Sequence, residues 1–106
     1  MRPSRLPPKD AANFLLVSGE LNALQGSRKK AKSKSRYDQA LSIYRSLGMR
    51  HAFISTIILC ALHHRVTKSQ LRPVRLKAQA NGYIVERDAI DALLRGDTPV
   101  YTINLS

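Results

Sequence analysis

From Ala52 to Leu62 the chain runs 11 residues without a charge, and Phe53, Ile54, Ile57, Ile58, Leu59, Ala61 and Leu62 would point to most sides of a helix. A helix that is apolar nearly all round has to be surrounded by its own protein. The stretch is too short to cross a bilayer, which takes about 20 residues, so it predicts a buried element at the centre of a small fold and no membrane span. The β-branched residues between Ile54 and Ile58 also suit a strand. Fourteen residues from His51 to His64 with no internal turn signal favour a helix.

The flanking segments read as helices that could pack around this one. Residues 1–9, with three prolines and three bases, read as a basic N-terminal arm. Asp10 is a plausible N-cap, and Phe14, Val17, Leu21 and Leu24 follow at 3-4-3 spacing, an apolar stripe that predicts a first helix ending at Gly26. Tyr37, Ala40, Leu41, Tyr44 and Leu47 predict a second, stopped by Gly48. Between these two lies a basic stretch at 27–36 with no apolar residue larger than Ala31, expected as a linker or mobile loop. Thr67 with Gln70 three positions on forms a capping-box signature for a further helix ending near Asn81-Gly82, with a kink or a restart expected at Pro73. Tyr83 to Val85 and Val100 to Leu105 are β-prone, and Asp88 to Arg95 has room for a turn or two of helix between them. The expected architecture is mainly α, about four helices in one domain over 10–106, with the two β-prone segments paired as a small C-terminal hairpin.

Charge narrows the function. Eighteen Lys and Arg against seven Asp and Glu give a formal charge of +11, which draws a protein towards polyanions. No acid occurs from Gln39 through Val85, while seven bases do, so that segment has no internal neutralisation. A single cysteine, Cys60, excludes an intramolecular disulfide, and with no secretory signal the default compartment is the cytoplasm.

Two groups of residues are candidate contacts to nucleic acid. Arg28, Lys29, Lys30, Lys32, Lys34 and Arg36 form a cluster suited to phosphates without sequence preference; the alternative is a solubilising linker. On the helix at 67–81, Lys68, Arg72, Arg75 and Gln79 share one face beside an apolar stripe of Leu71, Val74 and Ala78, and Lys77 adds another base. Arg can make bidentate contacts to guanine and Gln to adenine; the alternative is an ordinary solvated face. Cys60, His63 and His64 are close in sequence but lack the four paired ligands of a structural zinc site, so neither metal nor cofactor is expected. No phosphate loop, GxSxG or HExxH occurs, and the chain is not read as an enzyme.

Two families share short segments with this chain. Ile58-Leu59-Cys60-Ala61-Leu62, Val66-Thr67-Lys68-Ser69-Gln70-Leu71, Arg75-Leu76-Lys77, Asn81-Gly82-Tyr83-Ile84-Val85 and Val100-Tyr101-Thr102-Ile103 together resemble a winged helix-turn-helix regulator. That resemblance implies a DNA-reading helix ending at Asn81-Gly82, with the hairpin as wing. Lys68-Ser69-Gln70-Leu71-Arg72, with Phe53 upstream, resembles the motif of the FinO/ProQ RNA-binding regulators, which implies that Lys68 and Arg72 grip the backbone of a stem and its 3′ single strand. The reading is a non-enzymatic nucleic-acid-binding regulator, DNA placed slightly ahead of RNA, with a homodimer through the first helix as an option. A basic module docking an acidic protein partner is the competing class.

Overall fold

The computed structural model describes residues 6–102 and contains five α-helices: α1 (Pro8–Leu24), α2 (Lys30–Ser46), α3 (Arg50–His63), α4 (Lys68–Ala80) and α5 (Ile84–Leu94). A 3-10 turn, Ser27–Lys29, links α1 to α2. No helix among the described residues is long and apolar enough to cross a membrane.

The central role expected for the apolar stretch holds. Ile54, Ile58, Leu59 and Cys60 of α3 are buried and divide between two core clusters. Leu59 and Cys60 join Ala12 and Leu16 of α1 and Tyr37, Ala40 and Tyr44 of α2. Ile54 and Ile58 join Leu71, Val74 and Ala78 of α4 and Ala89 and Ile90 of α5. Two helical pairs, α1–α2 and α4–α5, therefore share α3, and Val66 and Tyr101 pack against both clusters.

The expected glycine stops are also present. At the end of α2, Met49 N–H donates to Tyr44 O at 3.0 Å and Gly48 N–H to Arg45 O at 3.1 Å, with Gly48 at φ +68°. At the end of α4, Tyr83 N–H donates to Ala78 O and Gly82 N–H to Gln79 O, with Gly82 at φ +73°. Both are Schellman motifs, which need a residue in the left-handed region. The Thr67–Gln70 capping box forms reciprocally at the start of α4. That helix continues through the exposed Pro73 and does not restart there.

Several expectations are corrected. The C-terminal β-hairpin and the winged-helix-like fold are absent: no strand occurs among the described residues. Ile84 and Val85 open α5 instead, because Glu86, Ala89 and Ile90 give that segment a buried helical face and outweigh the β-preference of its first two residues. Val100 to Thr102 form no strand, and 103–105 lie outside the described residues. The expected loop at 27–36 is the 3-10 turn followed by the first two turns of α2. Ser33, Tyr37, Ala40 and Tyr44 make the inward face of that longer helix, and Lys is a good helix former.

The first helix begins at Pro8, so Asp10 lies inside its first turn and is not its cap, and Lys9 of the expected arm is helical. Residues 1–5 of that arm lie outside the described residues. Its inward face is also not the expected one. Ala12, Leu16 and Gly19 face inward, whereas Phe14, Leu21 and Leu24 are 58%, 56% and 74% exposed and Val17 is 38% exposed. The cause lies on α2, whose Tyr37 and Tyr44 are fully buried and need small residues opposite them. Tyr44 Oη donates to Asn13 Oδ1 at 2.5 Å, and Tyr37 Oη donates to the carboxylate of Glu20.

Candidate nucleic-acid interface

The α1–α2 connection exposes the densest run of cations. Arg28 and Lys29 stand on the 3-10 turn, Lys30 and Lys32 in the first turn of α2, and all four are exposed with no acidic partner among the described residues. The N-terminal end of a helix is already positive through its dipole, and here the Lys29 and Lys30 N–H groups are taken up by Gly26 O and Ser27 O of the turn, so the turn extends that end. Bases placed there add to that potential where an acid would ordinarily offset it. The α2 N-terminus has no acid in its first turn and no side-chain cap.

The other two members of the cluster are held. Lys34 Nζ lies 2.7 Å and 2.9 Å from the Asp38 carboxylate oxygens, and this hydrogen bond raises its pKa above the ordinary value. Arg36 is half-buried against α1, where a Cβ on Gly19 would meet Arg36 Cβ at 3.4 Å and Ser33 O at 3.3 Å. Its Nε is buried without a hydrogen-bond partner among the described residues.

A polar seam anchors this end of the fold. Ser33 Oγ donates to Gly19 O at 2.8 Å and lies 2.8 Å from His64 Nε2. A hydroxyl has one proton, so the one given to Gly19 leaves Ser33 to accept from His64 Nε2–H. Burial lowers the His64 pKa, and His63, Lys34 and Lys30 lower it further. His63 Nε2 is 3.8 Å from Glu20, and Lys30, Ser27, His63 and His64 border a shared cavity of about 270 Å³. The basic turn is thus seated against the end of α3, from which the exposed Arg65 and Lys68 follow within five residues.

On α4 the expected basic face is present but divided. Lys68 and Arg72 are exposed with no acidic partner among the described residues. Arg75 is committed to α5: its Nε bonds to Asp91, its second amino group is 3.4 Å from the other carboxylate oxygen, and its first donates to Gln79 Oε1 at 3.0 Å. The hydrogen bond between them raises the Arg75 pKa and lowers that of Asp91. Arg75, one expected base reader, therefore ties α4 to α5, and Gln79, the other, is bonded to it along the same helix. Lys77 lies on the far side of α4 and lines a different cavity with Arg45 and Arg50.

Acids are consumed throughout. Glu20, Asp38, Glu86, Asp88, Asp91 and Asp97 each bond or pair with a described His, Lys, Arg or Tyr. That is six of the seven in the chain, so the residual charge belongs to exposed bases. Sequence reading did not single out Arg65, exposed beside the end of α3, or Arg45 and Arg50, exposed around the α2–α3 turn at the other end of α2; the signal was their position in the acid-free central segment. Cys60 is buried in the core, and burial pushes its thiol up to about 11. No three His, Cys, Asp or Glu side chains among the described residues converge on a metal position. Compared with known proteins, the chain matches no family model, no curated protein and no solved structure.

Proposed function

We propose that the protein is a non-enzymatic, cytoplasmic nucleic-acid-binding regulator that grips the phosphate backbone with Arg28, Lys29, Lys30 and Lys32, assisted by Lys68 and Arg72. One observation carries this reading: four exposed bases with no acidic partner among the described residues crowd a helix N-terminus that no side chain caps, an arrangement that costs stability unless an anion occupies it. A surface built only for solubility mixes signs. Phosphate contacts position a protein without reading sequence, and the tie between Arg75 and Asp91 leaves the α4 face poorly placed to read bases. The binding proposed is accordingly backbone-led, and without a wing the preference for DNA over RNA loses its structural motive.

The test is a titration of labelled duplex DNA and of a labelled hairpin RNA, followed by fluorescence anisotropy at salt from about 50 to about 200 mM. Binding to at least one that weakens steeply with salt is expected. If neither binds at the lowest salt while an acidic peptide does, the competing reading of a protein-docking module replaces this one.

A further inference from the structure

The end of α2, the α2–α3 turn, the start of α3 and Lys77 of α4 line an open cavity of about 210 Å³. Its wall includes Phe53 and Met49, and its rim carries Arg45, Arg50 and Lys77, with no acid among its lining residues. The three cations come from three helices. Gly48, in the left-handed conformation, turns the chain so sharply that Arg45 and Arg50 flank one opening. Arg50 is further steadied by Asn81 Oδ1 at 3.4 Å, at the end of α4 that also carries Lys77. The Arg45 guanidinium carbon lies over the Phe53 ring, 5.2 Å from its centroid and within cation–π range, and both residues line the cavity.

These features specify a ligand with a flat, apolar-faced part and an adjacent negative charge. The volume is below the range of about 300 Å³ and upwards typical for drug-sized ligands, and suits a single ring system. We propose that this cavity receives one unpaired base of a bound nucleic acid, stacked at the Arg45–Phe53 pair, with its flanking phosphate held by Arg50 and Lys77. The proposal rests on the nucleic-acid reading above and adds to it a second site, selective for unpaired nucleotides wherever they occur along the strand. Stacking on aromatic and guanidinium planes is tolerant of base identity, so the site discriminates extruded from paired bases and not one base from another.

The experiment compares three duplexes with the full chain: perfectly paired, carrying an internal three-nucleotide bulge, and carrying the same bulge made of abasic residues. The bulged duplex should bind at least about fivefold tighter than the paired one, the value of a single stacked base, and the abasic bulge should bind like the paired duplex. Arg45→Gln/Arg50→Gln/Lys77→Gln, all exposed positions, should abolish the ratio between bulged and paired whatever it does to each affinity. Phe53→Leu, which keeps an apolar wall, should reduce the ratio in a protein whose folding is verified by circular dichroism. Equal binding of bulged and paired duplexes by the wild type overturns the pocket while leaving backbone binding intact, as does an abasic bulge that binds as well as the natural one. The duplexes are made both in DNA and in RNA, and no binding of any of them removes the underlying reading and the pocket with it.

Discussion

Replacing Arg28, Lys29, Lys30 and Lys32 by Gln should make the protein more stable while weakening its binding. Lys29 occupies the N-cap position of α2 without capping it, and Lys30 and Lys32 lie in its first turn, each opposing the helix dipole and repelling the others. A favourable charge at a helix end contributes about 0.3–1 kcal/mol at low ionic strength, and an unfavourable one costs a similar amount. These side chains are long and exposed, so the lower end applies, about 1 kcal/mol for the three together. At this chain length that corresponds to a rise in Tm of about 4–8 °C. Gln has nearly the helix propensity of Lys, so the substitution changes charge and little else. Thermal unfolding followed by circular dichroism at low salt gives the shift, and repetition in about 1 M salt, where the screening length falls to about 3 Å, should erase most of it. A variant no more stable than the wild type at low salt would refute the argument that this end of α2 is electrostatically frustrated.

Three further outcomes follow from the core and its polar seam. Ile58, fully buried between α3, α4 and α5, should lose about 2–5 kcal/mol on substitution by Ala, read as a lower urea midpoint with unchanged slope. His64 has a folded pKa below its ordinary 6.5, so the unfolded chain binds more protons between those two values and stability should fall as pH drops from about 6.5. His64→Gln should flatten that part of the curve. A second decline should begin below about 4.5 through Glu86: burial opposes its ionisation, but hydrogen bonds from Tyr101 and His51 outweigh this and hold its pKa below the ordinary value. Cys60, buried and with its thiol raised to about 11, should react with a thiol reagent at neutral pH only as the protein unfolds; rapid labelling of the native protein would contradict its burial.

How far the chain could be read depended on the size of the side chains that decide each contact. The central helix was legible because large apolar residues cover its circumference, and the stops at Gly48 and Gly82 and the Thr67 box were legible because their chemistry is local. The α1 face was inverted because Ala12 and Gly19 are small: hydrophobic periodicity weights Phe14 and Leu21 above them, and only the paired bulk of Tyr37 and Tyr44 shows why the small residues are inside. The start of α2 was hidden similarly, since its inward residue is Ser33, buried through hydrogen bonds. Ile84 and Val85 read as β-prone, yet the helix was decided by Glu86, Ala89 and Ile90 behind them.

The candidate site was legible in composition and not in geometry. The run of bases from Arg28 to Arg36 is visible in any reading, but which of them are free depends on Asp38 for Lys34 and on packing against α1 for Arg36. Arg75 looked available because its partner, Asp91, stands 16 residues away on another helix. The Arg45, Arg50 and Lys77 rim draws on three helices, so no sequence window contains it.

The salt dependence of binding tests the central claim most directly. For wild type and for the Arg28→Gln/Lys29→Gln/Lys30→Gln/Lys32→Gln variant, the logarithm of the association constant is measured against the logarithm of salt concentration on one duplex. Each phosphate neutralised contributes about 0.9 to the slope on duplex DNA, so four lost contacts should make the variant's slope shallower by about 3 to 4. Equal slopes for the two proteins would show that these four residues do not touch the backbone and would contradict the account.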